Sequence, residues 1–332
     1  MARKKVYVTR RFPGNGLAML REKCDVRVNK QNVPPSRSEL LRNARGVDAI
    51  VCMLSDRIDD RVMDKAGPQL KVISSYSTGY EHIDIKEATS RGIYVTYTAD
   101  TLAEATADLA FALILACARK IVQGDRLVRD HKWKVGWKPD LLLGSDVHNA
   151  TLGIIGLGRI GSAVARRAKG FGMTVVYNTR RRDPAKELQL GVKYVDLDDL
   201  LSLSDFVSVH ASLNSSSRHI INATALRKMK PTAYLINTSR GQVINERDLA
   251  RALSKRWLAG AGLDVFEKEP LPKSSALARA RNVVLLPHIG SATTETRSRM
   301  GEVAARNVLD VIGGRSPKST FLVNPEASSH PS

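Results

Sequence analysis

Three short stretches, far apart in the chain, hold residue types that can do chemistry together. They are Asn237-Thr238-Ser239-Arg240-Gly241, Asp264-Val265-Phe266-Glu267-Lys268-Glu269-Pro270 and Pro287-His288-Ile289-Gly290-Ser291. An arginine can grip a carboxylate with two parallel hydrogen bonds. A histidine can give or take a proton near neutral pH. A carboxylate beside the histidine can hold its ring and favour the charged form. Glu269 is the expected partner of His288, with Glu267 as its competitor. Upstream, Gly156-Leu157-Gly158-Arg159-Ile160-Gly161 spells a dinucleotide-binding turn. A nucleotide cofactor beside an arginine, a carboxylate and a histidine suits hydride transfer to a keto acid.

The glycine pattern gains weight from its setting. It follows an apolar strand, Leu152-Gly153-Ile154-Ile155, and opens a helix with the small residues Ser162, Ala163 and Ala165. Gly156 would permit the tight turn, Gly158 the approach of backbone to a pyrophosphate, and Gly161 close packing of helix on strand. The helix start offers N–H donors and the positive end of its dipole to the phosphates. After the next strand, an NAD site would place an acid to accept from the ribose hydroxyls. This chain has Asn178-Thr179-Arg180-Arg181-Arg182 there, with no acid until Asp183. Arginines without that acid fit a 2′-phosphate. NADP is therefore the preferred cofactor and NAD remains possible, with Arg180 the first choice and Thr179 and Arg181 behind it.

These residues need a scaffold, and strands and helices alternate along nearly the whole chain, as in α/β layers on parallel sheets. Strands are expected at 6–9, 49–52, 72–74 and 94–96, with a short helix at 16–23. Helices follow at about 102–117 and 121–131, then an irregular stretch, 133–149, that carries Trp133 and Trp137. The alternation restarts with a strand at 151–155, a helix at 159–171, and strands at 174–177, 206–210, 233–237, 259–263 and 283–286. A helix should run from after Ser291 to about Ile312, and 320–323 should return to the first unit. The polar stretch Pro325–Ser332 is expected to be loose. Taken alone, the pattern allows either an inserted or a tandem second unit.

Composition narrows the classes. At 332 residues the chain can hold two domains, and 43% hydrophobic with 26% charged residues is an ordinary globular balance. Its longest apolar run, Leu109–Ala118, is too short to span a bilayer. The start, Met1-Ala2-Arg3-Lys4-Lys5-Val6-Tyr7-Val8, has no apolar core of a secretory signal, so a cytoplasmic location is expected. Cys24, Cys52 and Cys117 lack metal-ligand or disulfide spacing, and no metal site is expected. The net charge of +19 admits nucleic-acid binding or a surface that draws anionic substrate and cofactor. The basic residues are spread along the chain without a nucleic-acid-binding motif, which favours the second reading; neither a nucleic acid nor a membrane is an expected partner.

The chain resembles the D-isomer-specific 2-hydroxyacid dehydrogenases, and within them the glyoxylate/hydroxypyruvate reductase branch. The resemblance spans about residues 4 to 324. It rests on Ser75-Tyr76-Ser77-Thr78-Gly79-Tyr80-Glu81-His82-Ile83-Asp84, on Glu104-Ala105-Thr106-Ala107-Asp108, on Leu152–Gly161 and on the first three stretches. It implies two Rossmann-like doubly wound parallel-sheet α/β domains, with the cofactor domain inserted into the substrate domain. The substrate (catalytic) domain would be 1–98 with 290–332, and the NAD(P)-binding domain 99–289. Arg240, Glu269 and His288 match the family's catalytic residues. The implied roles are substrate-carboxylate binding for Arg240, proton donation for His288 and support of that histidine for Glu269. Thr78 and Gly79 would bind substrate through their N–H groups, with Met53 and Leu54 lining the pocket. Thr106, His210, Thr238, Asp264 and Ser291 match cofactor contacts, alongside Gly156, Gly158, Arg159, Ile160, Gly161, Asn178, Thr179, Arg180 and Arg181. Trp137 falls in the stretch relatives use for a homodimer, where it either reaches the partner's substrate pocket or is a plain interface aromatic.

Two departures stand out. Tyr97-Thr98-Ala99 replaces a frequent Asn-Thr-Pro, and Ser212 replaces a frequent proline. Other readings on this fold are another 2-keto acid, a 3-phosphoglycerate dehydrogenase (disfavoured, since no regulatory domain is expected after 324), a phosphite or formate dehydrogenase, or a nucleotide-sensing corepressor. A nucleic-acid-binding module would rest on charge alone.

Overall fold

The protein, described as a computed structural model over residues 2–329, divides into two compact units. The first is Met1–Leu102 with Ser291–Ser332, and the second is Ala103–Gly290. The second unit is thus inserted into the first rather than following it.

The first unit runs β1 (Lys4–Val8), α1 (Gly16–Lys23), β2 (Cys24–Val28), α2 (Arg37–Ala44), β3 (Ala49–Cys52), α3 (Asp60–Ala66), β4 (Val72–Ser75), α4 (Ile85–Ser90) and β5 (Tyr94–Thr96). All five strands are parallel, in the order β2-β1-β3-β4-β5. A parallel sheet must be covered on both faces, so its strands are apolar on both. Along β1, Tyr7 points into the layer formed by α2, α3 and α4, whereas Val6 and Val8 point to the layer containing Leu20 of α1.

The second unit runs α5 (Ala103–Ala118), α6 (Ile121–Arg129), β6 (Thr151–Ile155), α7 (Arg159–Gly170), β7 (Thr174–Asn178), α8 (Pro184–Leu190), β8 (Lys193–Tyr194), α9 (Leu197–Leu203), β9 (Phe206–Val209), α10 (Ala223–Lys228), β10 (Tyr234–Asn237), α11 (Glu246–Ser254), β11 (Gly260–Leu263) and β12 (Val283–Leu285). Its seven strands are parallel in the order β12-β11-β10-β9-β6-β7-β8. The order reverses between β6 and β9, which is where open α/β sheets form ligand crevices at their strand C-termini. Ala107, Ala110 and Ile114 of α5 pack with Ala163 and Val164 of α7 on one face, and Leu200, Leu226 and Leu249 cover the other.

The chain then returns to the first unit through α12 (Thr294–Ile312), whose Ala304, Ala305 and Val308 lie in the α1 layer. Leu322 bridges Thr96 in antiparallel sense, and the Asn324 carboxamide accepts from the Val95 N–H at 2.7 Å.

Two strands escape the sequence reading, β2 and β8. Both are edge strands. β2 exposes Asp25 and Arg27 with only Cys24 buried, and β8 has two residues, so neither carries the apolar run that marks a central strand. The stretch expected to be loose also needs correction. Pro325–Ser329 forms a 3₁₀ turn, with Ala327 only 2% exposed, because Asn324 anchors it to β5. The remainder of that stretch, 330–332, lies outside the described residues.

Candidate active site

Arg240 is placed by the end of β10. Asn237, 1% exposed, closes the turn: its side chain accepts from the Ser239 N–H at 3.0 Å and donates to the Arg240 carbonyl at 3.0 Å. The Arg240 guanidinium donates to the Ser239 carbonyl at 2.8 Å, and its charge reaches Glu269. Asn237 stood in the motif but was not singled out; its signal was an Asn at a strand end before Thr-Ser-Arg-Gly, a setting for side-chain-to-backbone turns.

Asp264 follows β11 and braces the histidine loop. Its carboxylate accepts from the Ile289 N–H at 2.7 Å and the Gly290 N–H at 2.8 Å, and its carbonyl accepts from the His288 N–H at 2.9 Å. Thr106 of α5 adds a hydroxyl bond to the Gly290 carbonyl at 3.1 Å. Both side chains are buried and hold this loop. Burial raises the Asp264 pKa against those two N–H bonds. His288 itself sits at φ +54, in left-handed backbone that the surrounding bonds must hold in place.

The two reacting types meet. His288 Nδ1 lies 2.7 Å from Glu269 Oε2, and the other Glu269 oxygen accepts from the Phe266 N–H at 3.0 Å. Burial opposes ionisation of Glu269, but His288, the Phe266 N–H and Arg240 together outweigh it and hold the carboxyl below the ordinary 4.5. Glu267 points elsewhere, to His219 at 2.9 Å. With Nδ1 engaged, the Nε2 face of His288 is the one able to pass a proton onward.

The glycine turn lies at the β6/β9 reversal. Gly156 is at φ +97, and a methyl there would sit 2.8 Å from the Ala211 nitrogen. A methyl on Gly161 would sit 2.1 Å from the Gly156 carbonyl oxygen, so helix and turn touch through backbone. A methyl on Gly158 would meet nothing within 4 Å, which leaves its backbone open to a ligand. Arg159 and Ile160 open α7, whose first-turn N–H groups have no acceptor within the helix. The residues present therefore fit a dinucleotide diphosphate.

Comparisons with known proteins bear on the family. The sequence model of the D-isomer specific 2-hydroxyacid dehydrogenase NAD binding domain matches residues 111–290. A glyoxylate reductase of Korarchaeum cryptofilum is 50% identical over 97% of this chain and 96% of its own length. The chain belongs to the D-isomer specific 2-hydroxyacid dehydrogenase family. Two solved structures are similar to this dehydrogenase. A Thermus thermophilus protein has TM-score 0.91 and 45% identity over 96% of this chain and 99% of that one. An NADPH-dependent glyoxylate/hydroxypyruvate reductase of Sinorhizobium meliloti, in complex with NADP and malonate, has TM-score 0.84 and 31% identity over 98% of each chain. The protein is thus an NAD(P)-dependent dehydrogenase.

In this 2-hydroxyacid dehydrogenase the other expected residues fall as follows. Asn178 ends β7, with its side chain donating inward to the Val195 carbonyl at 2.9 Å. Thr179 is half-buried, and Arg180 and Arg181 are exposed. Arg182 is exposed as well, with its guanidinium tied to Glu187 at 2.6 Å. His210, just past β9, meets the Ser208 hydroxyl at 2.8 Å through Nε2; burial pushes its pKa down to about 3. The Thr238 hydroxyl, at the end of β10, is buried without a hydrogen-bond partner among the described residues. Trp137 is 85% exposed, in an irregular stretch where Trp133, Val135 and Leu143 are also exposed.

Within the first unit, Met53 and Leu54 follow β3, and Thr78 and Gly79 lie beyond the end of β4, at the same sheet edge. Ser75 and Ser77 hydroxyls both donate to the Gly79 carbonyl, pinning that loop. Ser291 belongs to this unit, directly after the boundary. No helix among the described residues is long and apolar enough to cross a membrane.

Proposed function

We propose that this dehydrogenase reduces glyoxylate, and hydroxypyruvate as a second substrate, to the 2-hydroxy acid with NADPH. The observation that carries the reading is the 2.7 Å contact of His288 with Glu269 beside Arg240, at the strand ends of a unit with a dinucleotide turn. The reduced nicotinamide supplies a hydride to the keto carbon when bound. Protonated His288 passes its proton from Nε2 to the carbonyl oxygen, so hydride and proton together turn C=O into CH–OH. Glu269 keeps the imidazole oriented and charged until transfer. Arg240 binds the substrate carboxylate and polarises the carbonyl.

The second unit takes the cofactor role and the first the substrate role. Gly156, Gly158, Arg159, Ile160 and Gly161 cradle the diphosphate. Thr106, Asn178, His210, Thr238, Asp264 and Ser291 complete the cofactor site. Exposed Arg180 and Arg181, with Thr179, read the 2′-phosphate, and the lack of an acid at this turn supports NADPH over NADH. Met53, Leu54, Thr78 and Gly79 contribute to substrate binding, in line with the family resemblance. Exposed Trp133, Val135, Trp137 and Leu143 support a homodimer. Three unpaired, buried cysteines suit the cytoplasm.

The test is oxidation of NADPH and of NADH, followed in parallel with glyoxylate and with hydroxypyruvate. Faster turnover of NADPH with either acid supports the reading. Turnover of NADH alone overturns the cofactor assignment, and no turnover of either overturns the substrate.

A further inference from the structure

Glu267 lost the competition for His288, yet its side chain and backbone are tied to three neighbouring residues. Its Oε1 accepts from the Glu246 N–H at 3.2 Å and lies 2.9 Å from His219 Nε2, close enough for an ion pair but outside hydrogen-bond geometry. Its own N–H donates back to the Glu246 carboxylate, closing a reciprocal clasp with the first turn of α11. Its carbonyl accepts from the Gln242 side chain at 3.0 Å, and the Gln242 carbonyl in turn accepts from the His219 N–H at 2.9 Å.

The clasp also lies against the Arg240 turn through close backbone packing. A methyl on Gly241 would stand 1.8 Å from the Phe266 carbonyl carbon and 2.3 Å from the Glu267 nitrogen. Arg240 is thus one residue from this contact on one side, and Glu269 two residues from Glu267 on the other. The electrostatics report the same crowding: burial first, and then the charges of Glu267 and Glu269, raise the Glu246 pKa.

We propose that Glu267, with His219 and Glu246, is a positioning clasp that sets the separation between Arg240 and the Glu269–His288 pair. It touches neither substrate nor cofactor; it acts through the two segments that do. This rests on the reading of Arg240, Glu269 and His288 as the reacting set. A misplacement on the order of 1 Å at such a set costs up to about a hundredfold in rate.

The experiment compares Glu267→Ala, Glu267→Gln and His288→Ala for kcat, for glyoxylate KM with saturating NADPH, and for NADPH affinity by fluorescence titration. The titration also counts folded sites. Glu267→Ala is expected to raise KM and lower kcat per folded site, each by roughly tenfold, with NADPH affinity within about twofold of wild type. Glu267→Gln, whose amide oxygen still accepts the Glu246 N–H and whose backbone still meets Gln242, should recover to within about threefold of wild type. The clasp is overturned if Glu267→Ala keeps wild-type kcat and KM per folded site. It is equally overturned if its deficit follows only the number of folded sites, or if Gln restores nothing. His288→Ala separates the two ideas: retained turnover there removes the reacting set itself, whereas an inactive His288→Ala beside a normal Glu267→Ala removes the clasp alone.

Discussion

Two residues apart on one segment, Glu269 and Glu267 each meet a histidine, at 2.7 Å and 2.9 Å. Strain does not separate the pairs, because His288 and His219 are both at positive φ, +54 and +52. What differs is the contact itself, a hydrogen bond for His288 but a close approach without hydrogen-bond geometry for His219, and the rest of each carboxylate's surroundings. Glu269 spends one oxygen on the Phe266 N–H, the other on His288, and feels the charge of Arg240. Glu267 spends the oxygen that meets His219 on the Glu246 N–H as well. One pair has a cation at hand that can hold an anionic substrate; the other is knitted into backbone. A histidine–carboxylate contact alone therefore says little about chemistry, and its neighbours say much.

The comparison breaks most sharply at His288. His288→Ala should lower kcat roughly a thousandfold, the scale of a lost general acid, while NADPH still binds. Near-normal turnover would dissolve the distinction between the pairs. Glu269→Gln should fall next, by about a hundredfold in kcat, since the neutral amide no longer holds and orients the ring as the carboxylate does. In the wild type, the Glu269 carboxyl is held below 4.5, so the carboxylate is fully ionised above that pH and is lost as pH falls through the lowered pKa. An acid limb of kcat/KM lying above 4.5 would have to come from another group.

Arg180→Ala tests the cofactor turn, away from both pairs. NADPH KM should rise by roughly tenfold to a hundredfold while NADH KM stays within about twofold, the size of one lost charge-assisted hydrogen bond. Equal losses would mean that Arg180 does not read the phosphate. The smallest effect belongs to a third histidine. His210, with its pKa pushed down to about 3 from 6.5, stays neutral in the fold while the unfolded chain gains a proton. Stability should be complete above pH 6.5 and decline as pH falls from 6.5 toward 3. Melting temperatures across that range should slope less in His210→Gln than in wild type; parallel slopes would remove His210 as the cause.

Much of this was legible in the residues. The central strands announced themselves as apolar runs, because a sheet covered on both faces must be apolar on both. The glycine turn was legible because backbone packing at Gly156 and Gly161 leaves no room for a side chain. The edge strands β2 and β8 were not, since an edge needs few apolar residues. Arg180, Arg181 and Arg182 look alike in sequence, yet Arg182 is paired with Glu187.

Local order along the chain was thus enough to name the α/β class, the dinucleotide turn and the arginine, glutamate and histidine types, because each depends on neighbours a few residues away. Which glutamate meets His288, that Asp264 and Thr106 brace its loop, and that Glu267 ties β11's exit to α11 all depend on strands β10, β11 and β12 lying side by side. Those contacts join residues 19 to 184 positions apart. Side-chain direction at that range is set by sheet register and packing, and no local pattern encodes it.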